Sequence, residues 1–172
     1  MSQNILVTYA SRTGATQGVA EAIGKTLAES GANVDVKPMS AVTDLSPYSA
    51  VVAGSAIQAS AWLPEALDFI STNQHAISQK PFATFLVCMT LAMKNGEKYR
   101  PFVADFINPV RTMVKPVSEA QFAGTLDLKK IPSLGDRIKF GISILLGVWK
   151  QGDHRDWNAI NSWAASLNSR LN

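Results

Sequence analysis

A short polar turn, placed between an apolar run and a helical pattern, constrains this chain more than any other feature. The run Ile5-Leu6-Val7 leads into the turn, and Val19, Ile23 and Leu27 follow it at helical spacing. A strand, a turn and a helix in this order form a cradle for a phosphate group, because backbone N–H groups and the positive end of the helix attract an anion. The sequence therefore predicts a phosphate site here. The alternative is a polar turn whose hydroxyls only cap the helix.

The turn contains hydroxyl groups and a glycine within six consecutive residues. The hydroxyls can donate hydrogen bonds to a phosphate, and the glycine lets the backbone approach its oxygens closely. Neither G-x-x-x-x-G-K-[ST] nor G-x-G-x-x-G occurs near the turn, so neither a P-loop nor a dinucleotide fingerprint is indicated. The predicted binding residues of the turn are Ser11, Arg12, Thr13, Gly14, Ala15 and Thr16.

Composition favours one α/β domain covering residues 1–172. The chain has 172 residues, of which 47% are hydrophobic and 17% are charged, as in globular proteins. The single cysteine, Cys88, excludes an internal disulfide framework, and the distant His75 and His154 give no metal-site spacing. A net charge of +3 without a dense basic cluster does not indicate nucleic acid as a partner. No signal peptide is visible, so we expect a cytoplasmic protein.

Strand and helix patterns alternate along the chain, which is typical of a parallel sheet with helices on both faces. We expect a doubly wound, five-stranded parallel sheet with a helical insertion at about 126–151 before the last helix. A strand order of 2-1-3-4-5 would bring three strand-end loops around one cleft. The predicted strands are Asn4–Tyr9, Asn33–Pro38, Ala50–Gly54, Phe82–Cys88 and Val117–Ala123. The predicted helices are Thr16–Ser30, Leu63–Asn73, Tyr99–Val114 and Trp157–Leu171.

Such a sheet binds its ligand at the carboxyl ends of the strands, where the strand order reverses. Three loops, at 10–16, 55–62 and 89–96, are expected to surround one cleft. Trp62 can stack on a flat ring, or it can pack at the start of the following helix. Small residues in the second loop and backbone groups in the third complete the predicted site: Ser55, Ala56, Ile57, Gln58, Ala59 and Trp62, then Met89, Thr90, Leu91 and Ala92.

The turn Ser11-Arg12-Thr13-Gly14-Ala15-Thr16 resembles the [ST]-x-T-G-x-T loop that binds the phosphate of FMN in flavodoxin-like proteins. Val52–Ile57, Trp62–Ala66 and Gly152–Trp157 are similar to the flavodoxin-domain group that contains menaquinone-dependent protoporphyrinogen oxidase. The resemblance covers nearly the whole chain. It implies a flavodoxin-like fold, FMN as the cofactor, and electron transfer from a reduced substrate such as protoporphyrinogen to a quinone.

Two classes of function fit these residues. The first is an FMN-dependent oxidoreductase that passes electrons from a small reduced substrate to a quinone-type acceptor. The second is a flavodoxin-type electron carrier between protein partners, which the +3 charge fits poorly because docking on basic partners needs an acidic surface. A domain that keeps the fold without binding flavin is a third alternative. No residue identifies itself as a catalytic acid or base, since flavin chemistry belongs largely to the cofactor.

The segment 126–151 interrupts the α/β pattern. Within it, residues 137–150 predict a helix that is apolar around most of its circumference. Only Lys139, Ser143, Gly147 and Lys150 gather into a polar strip. A helix this apolar is usually buried or docked. Packing on its own domain, a homodimer seam and contact with the inner face of a membrane are the three alternatives, and the basic flanks and Trp149 suit the last of them.

Overall fold

The computed structural model describes residues 3–131 and 133–171. Five parallel strands form its central sheet in the spatial order β2-β1-β3-β5-β6. Counting only these five strands, the order is the predicted 2-1-3-4-5, which confirms the flavodoxin-like α/β fold. The strands are β1 (Asn4–Ala10), β2 (Asn33–Pro38), β3 (Ala50–Gln58), β4 (Ala61–Trp62), β5 (Phe82–Val87), β6 (Ser118–Phe122), β7 (Thr125–Leu126) and β8 (Gly152–Asp153).

Helices cover both faces of the sheet. The helices of the described residues are α1 (Ala15–Glu29), α2 (Pro64–Thr72), α3 (Gln74–Ser78), α4 (Arg100–Ala104), α5 (Asn108–Met113), α6 (Leu134–Leu145) and α7 (Trp157–Leu167). Helices α1 and α7 pack against one face through the buried residues Val19, Ile23 and Ile160. Helices α2 and α5 cover the other face, where Ile70 and Val110 are buried. Because both faces are covered, the inner strands are mostly apolar, and all six residues of β5 are buried.

Most predicted elements begin or end at different residues in the structure, and two of the differences change the architecture. The predicted helix Tyr99–Val114 is broken into α4, a 3-10 turn and α5. Pro109 lies in the first turn of α5. Because a proline cannot donate the backbone hydrogen bond that a continuous helix needs there, the helix is interrupted before this residue. Strand β3 runs to Gln58 instead of ending at Gly54, and it turns back through Ala59 and Ser60 to pair with β4.

The insertion begins and ends at a short antiparallel ribbon, in which β7 pairs with β8. Helix α6 begins three residues before the predicted start at Arg137 and ends five residues before Lys150. Gly147, with φ of 73°, ends it in a Schellman motif: the Val148 N–H donates to the Ser143 carbonyl, and the Gly147 N–H donates to Ile144. None of the helices in the described part of the chain combines the length and the apolar character that crossing a bilayer requires.

Candidate functional site

A cavity of about 330 Å³ opens at the carboxyl ends of β1, β3 and β5, the edge where the sequence predicts a ligand. Residues from the turn, from two further strand ends and from the insertion surround it. The lining residues are Ser11, Arg12, Thr13, Ala15 and Thr16, then Ala56, Ile57 and Gln58, then Val87 and Met89, and finally Gly124, Thr125, Leu126, Ile131, Ser133, Asp136 and Phe140.

The polar turn joins β1 to α1 and has the geometry of an anion cradle. Gly14 immediately precedes α1 with φ of 89°, a left-handed conformation that suits glycine. The Ser11 Oγ accepts a hydrogen bond from the Gly14 N–H at 3.1 Å, which closes the turn and leaves the Ser11 hydroxyl hydrogen available for a ligand. No acidic residue occupies the first turn of α1, so the positive end of the helix keeps its attraction for an anion.

Thr16 provides the test of whether this turn fits a phosphate. Its side chain is fully buried, and its Oγ1 has no hydrogen-bond partner among the residues that the structure describes. A buried hydroxyl without a partner costs about 1–3 kcal/mol. Because Thr16 lines the cavity, a phosphate oxygen of FMN is a partner that would satisfy this hydroxyl. The residues of the turn therefore fit the cofactor that the sequence predicts.

Arg12 brings a positive charge to the rim of the cavity, but it is already paired. Its guanidinium donates hydrogen bonds to both carboxylate oxygens of Glu65 at the start of α2, with Nη2 to Oε2 at 3.0 Å. These hydrogen bonds hold the pKa of Glu65 below its usual range. The pair fixes the turn against α2, and Arg12 therefore contributes to the shape of the site as well as to its charge.

The second predicted loop divides between the cavity and the core. Ala56, Ile57 and Gln58 line the cavity, as the sequence predicts. The Ser55 hydroxyl instead accepts from the Leu63 N–H and donates to the Ala56 carbonyl, so it is used inside the fold. Trp62 is 2% exposed and belongs to the core, which corresponds to the packing alternative rather than to stacking on a ring. Ala59 forms the hairpin turn with φ of 49°, away from the cavity.

The third predicted loop contributes one residue to the cavity. Met89 lines it at the start of a 3-10 helix that spans Met89–Ala92. Leu91 points into the core and is buried there, and Thr90 and Ala92 lie outside the cavity lining. A 3-10 turn directs successive side chains to different sides, which is why four consecutive residues do not share one wall.

Sequence reasoning missed the loop after β6 and the insertion. Strand β6 lies beside β5, so the residues that follow it, Gly124, Thr125 and Leu126, reach the same edge of the sheet. The rule that identified the other loops could have identified this one. By contrast, Asp136 and Phe140 on α6 carry no local sequence signal for a site, because only the path of the insertion brings them to the cavity.

Arg155 fastens the end of the insertion to the turn from the opposite side. Its guanidinium donates to the Ala15 carbonyl at 3.3 Å and to both carboxylate oxygens of Asp153 at 2.7 and 2.8 Å. It also lies over the Trp157 ring, 4.3 Å from the centroid. The hydrogen bonds lower the pKa of Asp153. This contact borders a more open cavity of about 520 Å³, where Lys129 and Lys130 add positive charge near the turn.

Comparison with known proteins agrees with this geometry. A family model described as flavodoxin domain matches residues 6–142. A flavodoxin from the domain Archaea shares 17% identity, covers 98% of both chains and superposes with a TM-score of 0.60. A short-chain flavodoxin associated with a non-canonical PDU bacterial microcompartment shares 16% identity over 99% of both chains, with a TM-score of 0.61. A flavodoxin of Streptococcus pneumonia TIGR4 shares 17% identity, covers 98% of this chain and 99% of its own, and superposes with a TM-score of 0.60.

No curated protein matches the chain, and at these identities the solved structures establish the fold alone. The family model covers most of the sequence, including the turn, two further strand ends and most of α6. The chain therefore belongs to the flavodoxin-domain family, as a flavin-binding electron-transfer protein whose cofactor is FMN.

Proposed function

We propose that this chain is an FMN-dependent oxidoreductase that transfers electrons from a small reduced substrate to a quinone-type acceptor. The resemblance to the group that contains menaquinone-dependent protoporphyrinogen oxidase makes protoporphyrinogen the first substrate to test. The observation that carries the proposal is the position of the insertion. Ile131, Ser133, Asp136 and Phe140 wall the cofactor cavity, whereas a carrier needs its flavin edge open to a protein partner.

In this proposal the residues of the cavity have separate tasks. Thr13 and Thr16 hold the phosphate at the start of α1, and Ile57 and Met89 present apolar surface to the ring. FMN, when bound, supplies the redox chemistry by taking electrons from one partner and passing them to another. Phe140 keeps water from the cavity, and the Asp136 carboxylate can accept a proton that the substrate releases as it is oxidised.

A flavodoxin-type electron carrier is the second candidate. It is supported by the flavodoxins that match this fold along 98–99% of their length. The net charge of +3 disfavours the carrier, because electrostatic steering to a basic partner requires an acidic surface. The two candidates differ in what reduces the bound FMN.

The decisive experiment measures steady-state turnover of the FMN-loaded protein with a soluble quinone analogue as the acceptor. Protoporphyrinogen is the donor, a nicotinamide cofactor is the control donor, and a ferredoxin-type reductase tests the carrier. We expect turnover with protoporphyrinogen. Rapid reduction by the reductase alone, with neither small donor active, would establish the carrier instead.

The isosteric variant Asp136→Asn tests the proposed proton acceptor. We expect it to bind FMN as tightly as the wild type, since the carboxylate is not part of the phosphate turn, and to turn over at least tenfold more slowly. Asp127→Asn is the matched control, because it removes the charge of the other carboxylate of the insertion. Asp127 caps the 3-10 turn before α6 by accepting a hydrogen bond from the Lys129 N–H. Equal rates for Asp136→Asn and the wild type would remove Asp136 from the mechanism.

A further inference from the structure

The outer face of α6 presents a continuous apolar stripe to solvent. Leu134, Ile138, Ile142 and Leu145 recur at intervals of four, four and three residues, which places them on one side of a helix. Their exposed fractions lie between 52 and 87%. None of the twelve residues of α6, all of which the structure describes, is buried. The packing alternative for this segment therefore accounts only for its inner side, where Phe140 contacts Trp149 with ring centroids 4.9 Å apart.

The insertion also carries the whole net charge of the chain. Residues 126–151 contain five of the 16 basic residues and two of the 13 acidic ones, so the remaining 11 basic and 11 acidic residues balance. Lys129, Lys130, Lys139 and Lys150 are exposed. At about 100° per residue, Arg137 and Lys139 fall on the two flanks of the apolar stripe. Apolar side chains between basic flanks are the pattern of a helix that lies in the surface of an anionic membrane.

A second copy of the chain suits this face less well. A two-fold dimer brings the same patch of both subunits together, so the basic residues around one stripe would face the identical set around the other. Repulsion between these like charges opposes that arrangement, whereas anionic lipid headgroups attract the same residues. Helix α6 is about 18 Å long, which is enough to lie along a membrane surface and too short to cross it.

We propose that α6 docks this protein on an anionic lipid surface, with the stripe Leu134, Ile138, Ile142 and Leu145 inserted between the headgroups and the lysines of the insertion around it. The inner side of the same helix forms a wall of the cofactor cavity through Asp136 and Phe140. Docking therefore brings the cavity within one helix of the lipid phase. The proposal does not depend on the oxidoreductase assignment, because lipid binding is measured without substrate or acceptor.

The experiment is flotation of the FMN-loaded full chain with vesicles of phosphatidylcholine, with and without phosphatidylglycerol. We expect binding to the anionic vesicles, weakened by salt, and much weaker binding to the neutral ones. The paired change Ile138→Asp with Leu145→Asp should reduce the partition coefficient at least tenfold. The matched control is Phe102→Asp with Val117→Asp, which alters two exposed apolar side chains outside the insertion and should leave partitioning unchanged.

A second variant tests the charges without touching the apolar stripe. Lys139→Gln with Lys150→Gln, two exposed lysines of the insertion that lie outside the cavity linings, should weaken binding to the anionic vesicles by roughly fivefold for each lysine. FMN fluorescence and thermal melting report whether each variant is folded. If the aspartate pair does not fold, the lysine pair alone tests the proposal.

Three results would overturn the proposal. The first is a wild type that does not float with anionic vesicles, or that binds neutral ones equally well. The second is a folded aspartate pair, or a folded lysine pair, that floats with anionic vesicles like the wild type. The third is a wild-type dimer that the aspartate pair converts to a monomer in light scattering without a change in flotation, which would assign the stripe to a second copy of the chain.

Discussion

Helices α1 and α6 have the same amphipathic character and opposite surroundings. Val19, Ile23 and Leu27 of α1 are completely buried against the sheet, whereas Ile138 and Leu145 of α6 are mostly exposed. The difference arises from what precedes each helix. Helix α1 follows β1 through a four-residue turn and lies directly on the sheet, whereas α6 stands at the end of a ribbon beyond the strand ends. An apolar helix face therefore indicates that the helix needs a partner, but it does not identify the partner.

The largest expected effect comes from placing a charge on each of the two faces. Ile23→Asp puts an unpaired carboxylate into the core, at a cost of several kcal/mol that should unfold much of the protein. Leu145→Asp, at a position 87% exposed, should change the free energy of unfolding by less than about 0.5 kcal/mol. Urea denaturation of both variants measures the contrast. A comparable loss in the two would mean that α6 packs as α1 does.

The next effect concerns the turn before α1. Thr13→Ala with Thr16→Ala should weaken FMN binding by about 1–3 kcal/mol, because two hydroxyls that can donate hydrogen bonds to a charged phosphate are removed. Thr16→Val alone should leave the melting temperature of the FMN-free protein unchanged or raise it, since the buried Oγ1 has no partner there among the described residues. Riboflavin, which lacks the phosphate, is the control ligand in a fluorescence titration. Riboflavin binding as tight as FMN binding would contradict the phosphate cradle.

Two glycines with positive φ sharpen the comparison further. Gly14→Ala at the start of α1 and Gly147→Ala at the end of α6 each force an L-residue into a left-handed conformation, at about 1–2 kcal/mol. We expect Gly14→Ala to weaken FMN binding as well, because the strain lies within the phosphate turn. Gly147→Ala should lower the melting temperature and spare FMN affinity. Equal FMN affinities for the two variants would show that the geometry of the turn does not matter for binding.

The smallest effect is the pH dependence of the Arg12–Glu65 pair. Arg12 lowers the folded-state pKa of Glu65, so the stabilisation is present above the unfolded-state pKa of glutamate and is lost as the pH falls through the lowered value. Both side chains are nearly half exposed, which limits the pair to less than about 1 kcal/mol. Glu65→Gln should therefore melt slightly below the wild type at neutral pH and together with it in strong acid. A difference in melting temperature that persists in strong acid would mean that the effect comes from packing and not from the ion pair.

Much of the site follows from local sequence, and the remainder depends on contacts between distant segments. The turn of residues 11–16 could be predicted because strand, turn and helix are consecutive, and no remote residue is needed to form the cradle. Ser55 and Trp62 could not be assigned, since whether each faces the cavity or the core depends on the hairpin that β3 forms with β4. Phe140 reaches the cavity only through the path of the insertion.

Residue patterns along the chain predict the alternation of strands and helices and the phosphate turn, and the resemblance of the motifs implies the strand order and the family. Periodicity and short motifs depend on neighbours a few positions apart, so they can be recognised in short segments. That the insertion walls the cofactor cavity, and that the apolar side of α6 faces solvent, is visible in the folded structure alone. Burial is a property of the space around a side chain, and α6 faces solvent because the β7–β8 ribbon carries it beyond the strand ends, away from the sheet that buries α1.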